Sequence, residues 1–311
     1  MSNPDPLQRR RLLQTGLALA MPAVAHANAA PMNPLESLAS TSLLGAPAVS
    51  LPRTHQVDLP LAGRVRRLFV AVPEGPVPPQ GHPVLWTLDG NTLFPLLAAL
   101  QRQQAARPAD MRGTLPVVVG LGLPGDESYN QAARTDDYTV PLTAGSGQAD
   151  RLLDMLAQQL QPWLAQQLVV DPARQTFFGH SFGGLLVLYA LFTRPTLFGR
   201  YLAASPSIWW GDRVILSHRD AFLRREHHTQ TQRVLQLTAG GLEDGTVQSN
   251  PERQRRQQER RQVGSARDLV VSLSGVPGLQ AGFHLLAGED HGSLVLPSAV
   301  LALELAAGGL S

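Results

Sequence analysis

Short, nearly continuous apolar runs alternate along this chain with longer segments whose apolar residues recur at helical spacing. Thr54 to Leu59 and Arg64 to Val72 read as strands, with Leu61-Ala62-Gly63 as the turn between them. Val84 to Leu88, Leu115 to Gly122, Tyr201 to Ala204, Val234 to Thr238 and Gly282 to Ala287 read as further strands. Several are apolar on both faces, as strands of a parallel sheet covered on each side must be. Leu93 to Gln104 fits a helix. Leu152, Leu153, Leu156, Leu160, Trp163 and Leu164 share one helical face, and Asp171-Pro172 is expected to stop that helix. Leu185 to Phe192 is apolar throughout and predicts a buried helix. Pro251 to Val263 predicts a helix rich in Arg and Gln. Pro73 to Pro83 is a Pro/Gly loop, and Leu123 to Gly147 reads as a long polar loop, a length that usually carries function in a compact domain. Strand–helix alternation without internal repeats predicts a single α/β domain built on a mostly parallel, doubly wound sheet.

One junction in this alternation carries chemistry. Thr176-Phe177-Phe178-Gly179-His180-Ser181-Phe182-Gly183-Gly184 reads strand, sharp turn, helix, with a serine between glycines. This is the G-x-S-x-G nucleophile elbow of the α/β-hydrolase fold, the fold class predicted here. Gly179 and Gly183 let strand and helix approach closely, so the Ser181 hydroxyl stands clear of the sheet. The Phe182 N–H can then face a developing oxyanion. Ligands of such sheets bind beyond the C-terminal strand ends. His291, in Gly288-Glu289-Asp290-His291-Gly292-Ser293, follows the last strand and is the candidate base. The acid that would orient it should follow the strand before: Glu243 or Asp244, with Glu252 as an outside candidate. The order Ser, acid, His is that of α/β-hydrolases. The second oxyanion donor is expected after the strand ending at Leu88, from the Asn91 backbone N–H, with Gly90 next.

Other histidines and charges read as structural. His180 is expected to point away across the turn. His227-His228 reads as surface, and the arginines at 253, 255, 256, 260 and 261 as a solvated helix face. Arg134 admits two readings: an anion-binding group, or a salt bridge to Asp136 or Asp137. Trp209 and Trp210 are candidates to stack on aromatic ligand rings, with one of them in the core.

Composition narrows the chemistry. The 26 basic residues are all arginine, which excludes lysine-based catalysis. There is no cysteine, hence no disulfide, thiolate or cysteine-ligated metal site. A formal net charge of +2 gives no electrostatic case for nucleic acid or membrane binding. At 43% hydrophobic over 311 residues, the chain can fill one large core.

The N-terminus reads as targeting. Arg9-Arg10-Arg11-Leu12-Leu13 precedes an apolar stretch from Thr15 to Val24, and Ala25-His26-Ala27 and Ala27-Asn28-Ala29 are small-residue cleavage sites. Paired arginines followed by leucines look like a twin-arginine signal for the Tat export machinery, with an ordinary secretory signal as the alternative. The stretch is short for a bilayer span, so no stable membrane insertion is expected, although a retained signal could anchor the chain. The expected organisation is an export signal at 1–27, an Ala/Pro/Ser-rich linker at 28–53 and the catalytic domain at 54–311, located in the periplasm.

Five segments found together and in order carry a family resemblance. They are Leu88-Asp89-Gly90-Asn91, Arg134-Thr135-Asp136-Asp137-Tyr138-Thr139-Val140-Pro141, the elbow, Ser205-Pro206-Ser207-Ile208-Trp209-Trp210, and Gly288 to Ser293. From about Thr54 onward the chain resembles the putative esterase family of α/β-hydrolases, and within it the periplasmic siderophore esterases that open catecholate trilactones. The resemblance implies a Ser–His machinery with no cofactor and no metal, acting on a small-molecule ester such as a ferric siderophore. It also implies that the Ser-Pro-Ser-Ile-Trp-Trp segment lines the rim. Some such enzymes use a Ser–His dyad, which leaves the need for Glu243 open. General carboxylesterases, feruloyl esterases and acyltransferases share the fold, and a non-catalytic binding protein would be the remaining alternative.

Overall fold

The computed structural model describes residues 44–61, 63–142, 147–225, 232–245 and 251–309. The chain divides into Met1–Val49 and a compact unit, Ser50–Ser311. The proposed signal and His227-His228 lie outside the described residues. Among the described residues there are eight strands: β1 (Thr54–Leu61), β2 (Arg64–Ala71), β3 (His82–Thr87), β4 (Val117–Gly122), β5 (Val170–His180), β6 (Arg200–Ala204), β7 (Arg233–Gly240) and β8 (Leu279–Leu286). They form one sheet in the order β1-β2-β4-β3-β5-β6-β7-β8. β1 and β2 form an antiparallel hairpin, β2 runs antiparallel to β4, and the strands from β4 to β8 are mutually parallel. This is the predicted α/β-hydrolase arrangement.

Successive side chains on a strand point to opposite faces, and that alternation divides the central strands between two cores. Trp86, Val117, Val119, Phe177 and Tyr201 face one layer. Their neighbours Leu85, Val118, Phe178 and Leu202 face the other. The second layer is formed by α1 (Gly90–Ala105) and a C-terminal helix at Val295–Ala307, through Leu93, Leu97, Ala302 and Leu303. The first layer holds α2 (Gln131–Tyr138), α3 (Ala149–Met155), α4 (Gln161–Gln167), α5 (Phe182–Thr193) and α6 (Ile215–Leu223). α7 (Pro251–Arg260) and α8 (Gln262–Ser272) follow β7, and the C-terminal helix is α9. In α5 every residue from Phe182 to Phe192 is buried, as its all-round apolarity predicted.

Four local differences from the sequence reading have physical causes. The expected polar loop at 123–147 contains α2, whose Asn130 cap accepts from the Ala133 N–H at 2.8 Å. This helix is held by ion pairs of Arg66 with Asp137 and Arg64 with Asp136 rather than by an apolar stripe, so periodicity could not reveal it. Asp171-Pro172 does not precede β5 but lies in it, where the register against β3 slips between His82 and Val84; a bulge is a place where a strand tolerates proline. The expected helix at 251–263 breaks at Arg261, whose φ is 44°, and a new helix continues to Ser272. The amphipathic segment around Leu156 passes through one π-helical stretch, Leu156–Leu160, between α3 and α4.

Candidate active site

The turn from β5 into α5 forces Ser181 to φ 61° and ψ −115°, a conformation costly for a residue with a side chain. The surroundings enforce it. A Cβ on Gly179 would lie 2.5 Å from the Gly183 carbonyl carbon, so only glycine lets strand and helix meet here. The Ser181 N–H donates to the Ala204 carbonyl at 2.9 Å, tying the turn to the end of β6.

The ends of β7 and β8 are stitched in the same way. The Gly241 N–H donates to Leu286 and the Leu242 N–H to Glu289, at 2.9 and 3.0 Å. A Cβ on Gly240 would lie 2.3 Å from the Glu289 carbonyl oxygen. Asp290 closes the next turn by accepting from the Gly292 and Ser293 N–H groups, both at 2.8 Å, and those donors hold its carboxyl below the usual range.

These turns bring three distant residues into line. His291 Nε2 lies 3.1 Å from Ser181 Oγ, and His291 Nδ1 lies 2.6 Å from Glu243 Oε1. Glu243 is 5% exposed, and its Oε2 accepts from the Gly240 N–H at 2.7 Å. Of the three acids left open by the sequence, only Glu243 meets the imidazole. Asp244 instead accepts from the Val263 and Gly264 N–H groups at 3.0 and 2.9 Å, capping α8. Glu252 sits on the exposed face of α7, 3.8 Å from Arg256.

Two residues that sequence reasoning passed over complete this side. Ser205 is fully buried, donates to Glu243 Oε1 at 2.5 Å and lies 3.0 Å from His291 Nδ1. Gln262 Nε2 donates to Ser205 Oγ at 2.9 Å and is within 2.8 and 2.9 Å of the Ser205 and Pro206 carbonyls. Ser205 opens the Ser-Pro-Ser-Ile-Trp-Trp segment, but nothing in its spacing marks a donor to Glu243. Gln262 opens a helix that the sequence reading did not separate.

His180 requires a correction. It does not point away: its ring packs 4.7 Å from that of His291, and its Nε2 lies 2.9 Å from the His291 carbonyl oxygen. A carbonyl only accepts, so Nε2 carries the proton. Burial first, then the neighbouring His291 and Arg134 charges, push its pKa down to about 3, and the ring is neutral at ordinary pH.

On the other side of Ser181, Asp89 adopts φ 51° as β3 turns into α1. A Cβ on Gly183 would lie 3.3 Å from Leu88 Cδ1 and 3.7 Å from Asp89 Oδ2, so this turn packs directly on the elbow. The first-turn N–H groups of α1 and α5, those of Gly90, Asn91 and Phe182 among them, have no intrahelical acceptor. The Asn91 side chain is occupied elsewhere: Nδ2 donates to Leu123 and Gly125, and Oδ1 accepts from the Leu123 N–H.

Arg134 differs from the expected pairing with Asp136 or Asp137. Its Nε and Nη2 bind the Asp89 carboxylate at 2.8 and 3.2 Å, and Nη2 reaches the His180 carbonyl at 3.3 Å. Asp136 and Asp137 pair with Arg64 and Arg66 instead. With its side chain 11% exposed and its charge matched by Asp89, Arg134 braces the turn. Trp209 and Trp210 are both half-buried, with ring centroids 6.1 and 5.0 Å from that of Phe182. Neither is wholly core.

This geometry can be set beside known proteins. The model of the family described as "Putative esterase" matches residues 61–270. The chain belongs to that esterase family. A ferri-bacillibactin esterase of Bacillus subtilis is 32% identical over 250 residues, covering 75% of this chain and 81% of that protein. A siderophore triacetylfusarinine C esterase of Aspergillus fumigatus is 34% identical, covering 68% of this chain and 77% of that one. Among solved structures, a siderophore hydrolase of Aspergillus nidulans superposes with a TM-score of 0.76 at 31% identity, over 84% of this chain and 97% of that one. Among the described residues of this esterase-family chain, no group of three or more His, Asp or Glu converges as metal ligands. No described helix is long and apolar enough to cross a membrane.

Proposed function

We propose that this protein is a serine esterase that hydrolyses the ester bonds of a siderophore-like catecholate trilactone, exported to the periplasm through its arginine-bearing N-terminus. The observation that carries the reading is the continuous contact from Ser181 Oγ through His291 to Glu243, at 3.1 and 2.6 Å, on an esterase-family sheet. The substrate class rests on the names of the similar proteins, which act on ferri-bacillibactin and other siderophores.

In this mechanism His291 Nε2 takes the Ser181 proton as Oγ adds to the ester carbonyl. Glu243 holds Nδ1–H and stabilises the imidazolium. The tetrahedral oxyanion is received by the Phe182 and Asn91 N–H groups. When the C–O bond breaks, the imidazolium gives its proton to the leaving alkoxide, and the acyl group stays on Ser181. Water then loses a proton to His291 and attacks the acyl carbon, and Ser181 recovers its proton as the acid departs. Trp209 and Trp210 border the leaving and acyl groups as stacking surfaces.

The test is mass analysis of products from a catecholate trilactone, with and without iron, beside feruloyl and short-chain esters. Catecholate-bearing linear products are expected. Turnover of only the simple esters would move the protein to a general carboxylesterase. Failure of a fluorophosphonate to label Ser181, with no ester turned over, would leave a binding protein. Export is read separately, by following the full chain in cell fractions with Arg9 to Arg11 intact and replaced.

A further inference from the structure

Helix α7 is more than a solvated face. Residues 251–261 contain five arginines against Glu252 and Glu259. Most of those with described side chains have a carboxylate nearby: Arg255 is 3.6 Å from Glu259, Arg256 3.8 Å from Glu252 and Arg261 3.4 Å from Asp268. Arg260 has none among the described residues. Its guanidinium carbon lies 4.2 Å from the centroid of the Trp209 ring.

Trp209 is not a remote tryptophan. It packs 6.1 Å from Phe182, the residue after the nucleophile. It also follows Ser207 by two positions, and Ser207 Oγ is 3.3 Å from Ser181 Oγ. Arg260 is therefore two ring contacts from the reacting serine.

Stacking on an indole satisfies the face of a guanidinium but none of its five N–H donors, which radiate in its plane. The stack also fixes the side chain before any ligand arrives, reducing the entropy lost on binding. Arg260 is exposed, yet desolvation beside the protein and then the like charge of Arg256 lower its pKa, a shift that a bound anion would oppose.

We propose that Arg260, stacked on Trp209, is the anion-reading group of the substrate subsite and selects iron-loaded catecholate esters over neutral ones. A ferric tris-catecholate stays negatively charged after the metal is counted. Its oxygens are acceptors only, and its rings can lie against the remaining indole surface. The charge of Arg134, by contrast, is matched by Asp89. The inference rests on the siderophore reading above and names the group that would give it selectivity.

The test separates binding from turnover. Full-length protein carrying Ser181→Ala is titrated with the ferric complex of a synthetic tris-catecholamide, which has no ester to cleave, and tryptophan quenching gives Kd. Adding Arg260→Gln should weaken binding about tenfold or more, and Arg260→Lys should recover only part of it. Arg255→Gln, on an arginine paired within its own helix, should leave Kd unchanged. In the otherwise wild-type enzyme, Arg260→Gln should raise KM for the ferric trilactone several-fold more than for a neutral short-chain ester. Equal losses with Arg260→Gln and Arg255→Gln, no loss with either, or no binding of the complex at all would overturn the proposal. Arg260-dependent binding without cleavage of any catecholate ester would overturn the esterase assignment and leave this subsite standing.

Discussion

Two buried carboxylates flank Ser181, and they are partnered in different ways. Glu243, behind His291, faces an imidazole whose other nitrogen reaches the serine. Asp89, on the side of α1, faces the guanidinium of Arg134. Both pairs are well hydrogen-bonded, and both join segments that follow separate strands. Only one can move a proton. A guanidinium stays charged at any working pH, so the Asp89 pair fixes geometry. An imidazole can take a proton and return it, so the Glu243 pair can also serve a reaction. Which nitrogen base meets the carboxylate, a permanent cation or an imidazole, separates bracing from chemistry.

The comparison is broken most severely on the Glu243 side. Ser181→Ala and His291→Ala should each lower kcat by about 10⁵-fold or more, because nucleophile and base act as a unit. Circular dichroism and melting should show the fold retained. Wild-type turnover in either purified variant would end the assignment. Glu243→Gln keeps the size of the side chain but removes its charge, and should cost about 10²- to 10⁴-fold in kcat. Asp244→Asn tests the neighbouring acid. As a cap of α8 it should lower Tm while leaving kcat far less affected than Glu243→Gln does. Near-normal kcat for Glu243→Gln would mean that a Ser–His dyad suffices.

Much of this was legible in the sequence because the signals are local. The elbow needs Gly179 and Gly183 at fixed offsets, and the strand ends are marked by apolar runs that stop. Ser181, His291 and the order of the acids followed from that alone. The choice between Glu243 and Asp244 did not, because adjacent carboxylates differ only in what the fold brings to them. The salt-bridge partner of Arg134 was missed for the same reason: Asp89 is 45 residues away in sequence, while Asp136 and Asp137 stand beside it. Arg260 was hidden in a run of similar arginines, and only the packing of Trp209 sets it apart.

His180 links the two sides, since its ring holds the His291 carbonyl and its own carbonyl accepts from Arg134. Its pKa is about 3 in the fold against 6.5 ordinarily. The unfolded chain therefore binds a proton below about pH 6.5 that the native protein refuses. The associated stability is present above that pH and is lost as pH falls toward 3, by on the order of 4 to 5 kcal/mol over the whole window. His180→Gln should be less stable at neutral pH and should lose stability less steeply between pH 6 and 4. Parallel denaturation curves for the two proteins across that window would contradict a buried neutral imidazole.

The bracing side has its own test. Arg134→Ala strands the Asp89 carboxylate, which burial already biases toward its protonated form. Removing one partner of a buried pair costs about 3 to 5 kcal/mol. Tm should therefore fall, and kcat/KM should drop by the same factor for anionic catecholate and neutral short-chain esters. Asp89→Asn added to Arg134→Ala should recover part of the Tm. A KM increase confined to the anionic ester would return Arg134 to substrate binding.

The smallest expected effect lies with Ser205 and Gln262, and it sharpens the account of the Glu243 side. Ser205 has one hydroxyl proton, and Glu243 Oε1 at 2.5 Å receives it. The Gln262 amide donates to one of the two lone pairs of the same hydroxyl at 2.9 Å. The second lone pair faces His291 Nδ1 at 3.0 Å, so Nδ1–H points chiefly at Glu243, 2.6 Å away, with Ser205 as its longer, secondary acceptor. Ser205 is thus a positioning residue: it fixes the lone-pair direction on Glu243 along which the imidazole must align. Ser205→Ala should lower kcat about tenfold with little change in KM, since nothing on the substrate side is removed. Gln262→Leu should do the same by releasing Ser205. The double variant should be no worse than the worse single, because both break one chain of hydrogen bonds. Fully additive losses, or a rise in KM with kcat intact, would place the two residues outside the orientation of His291.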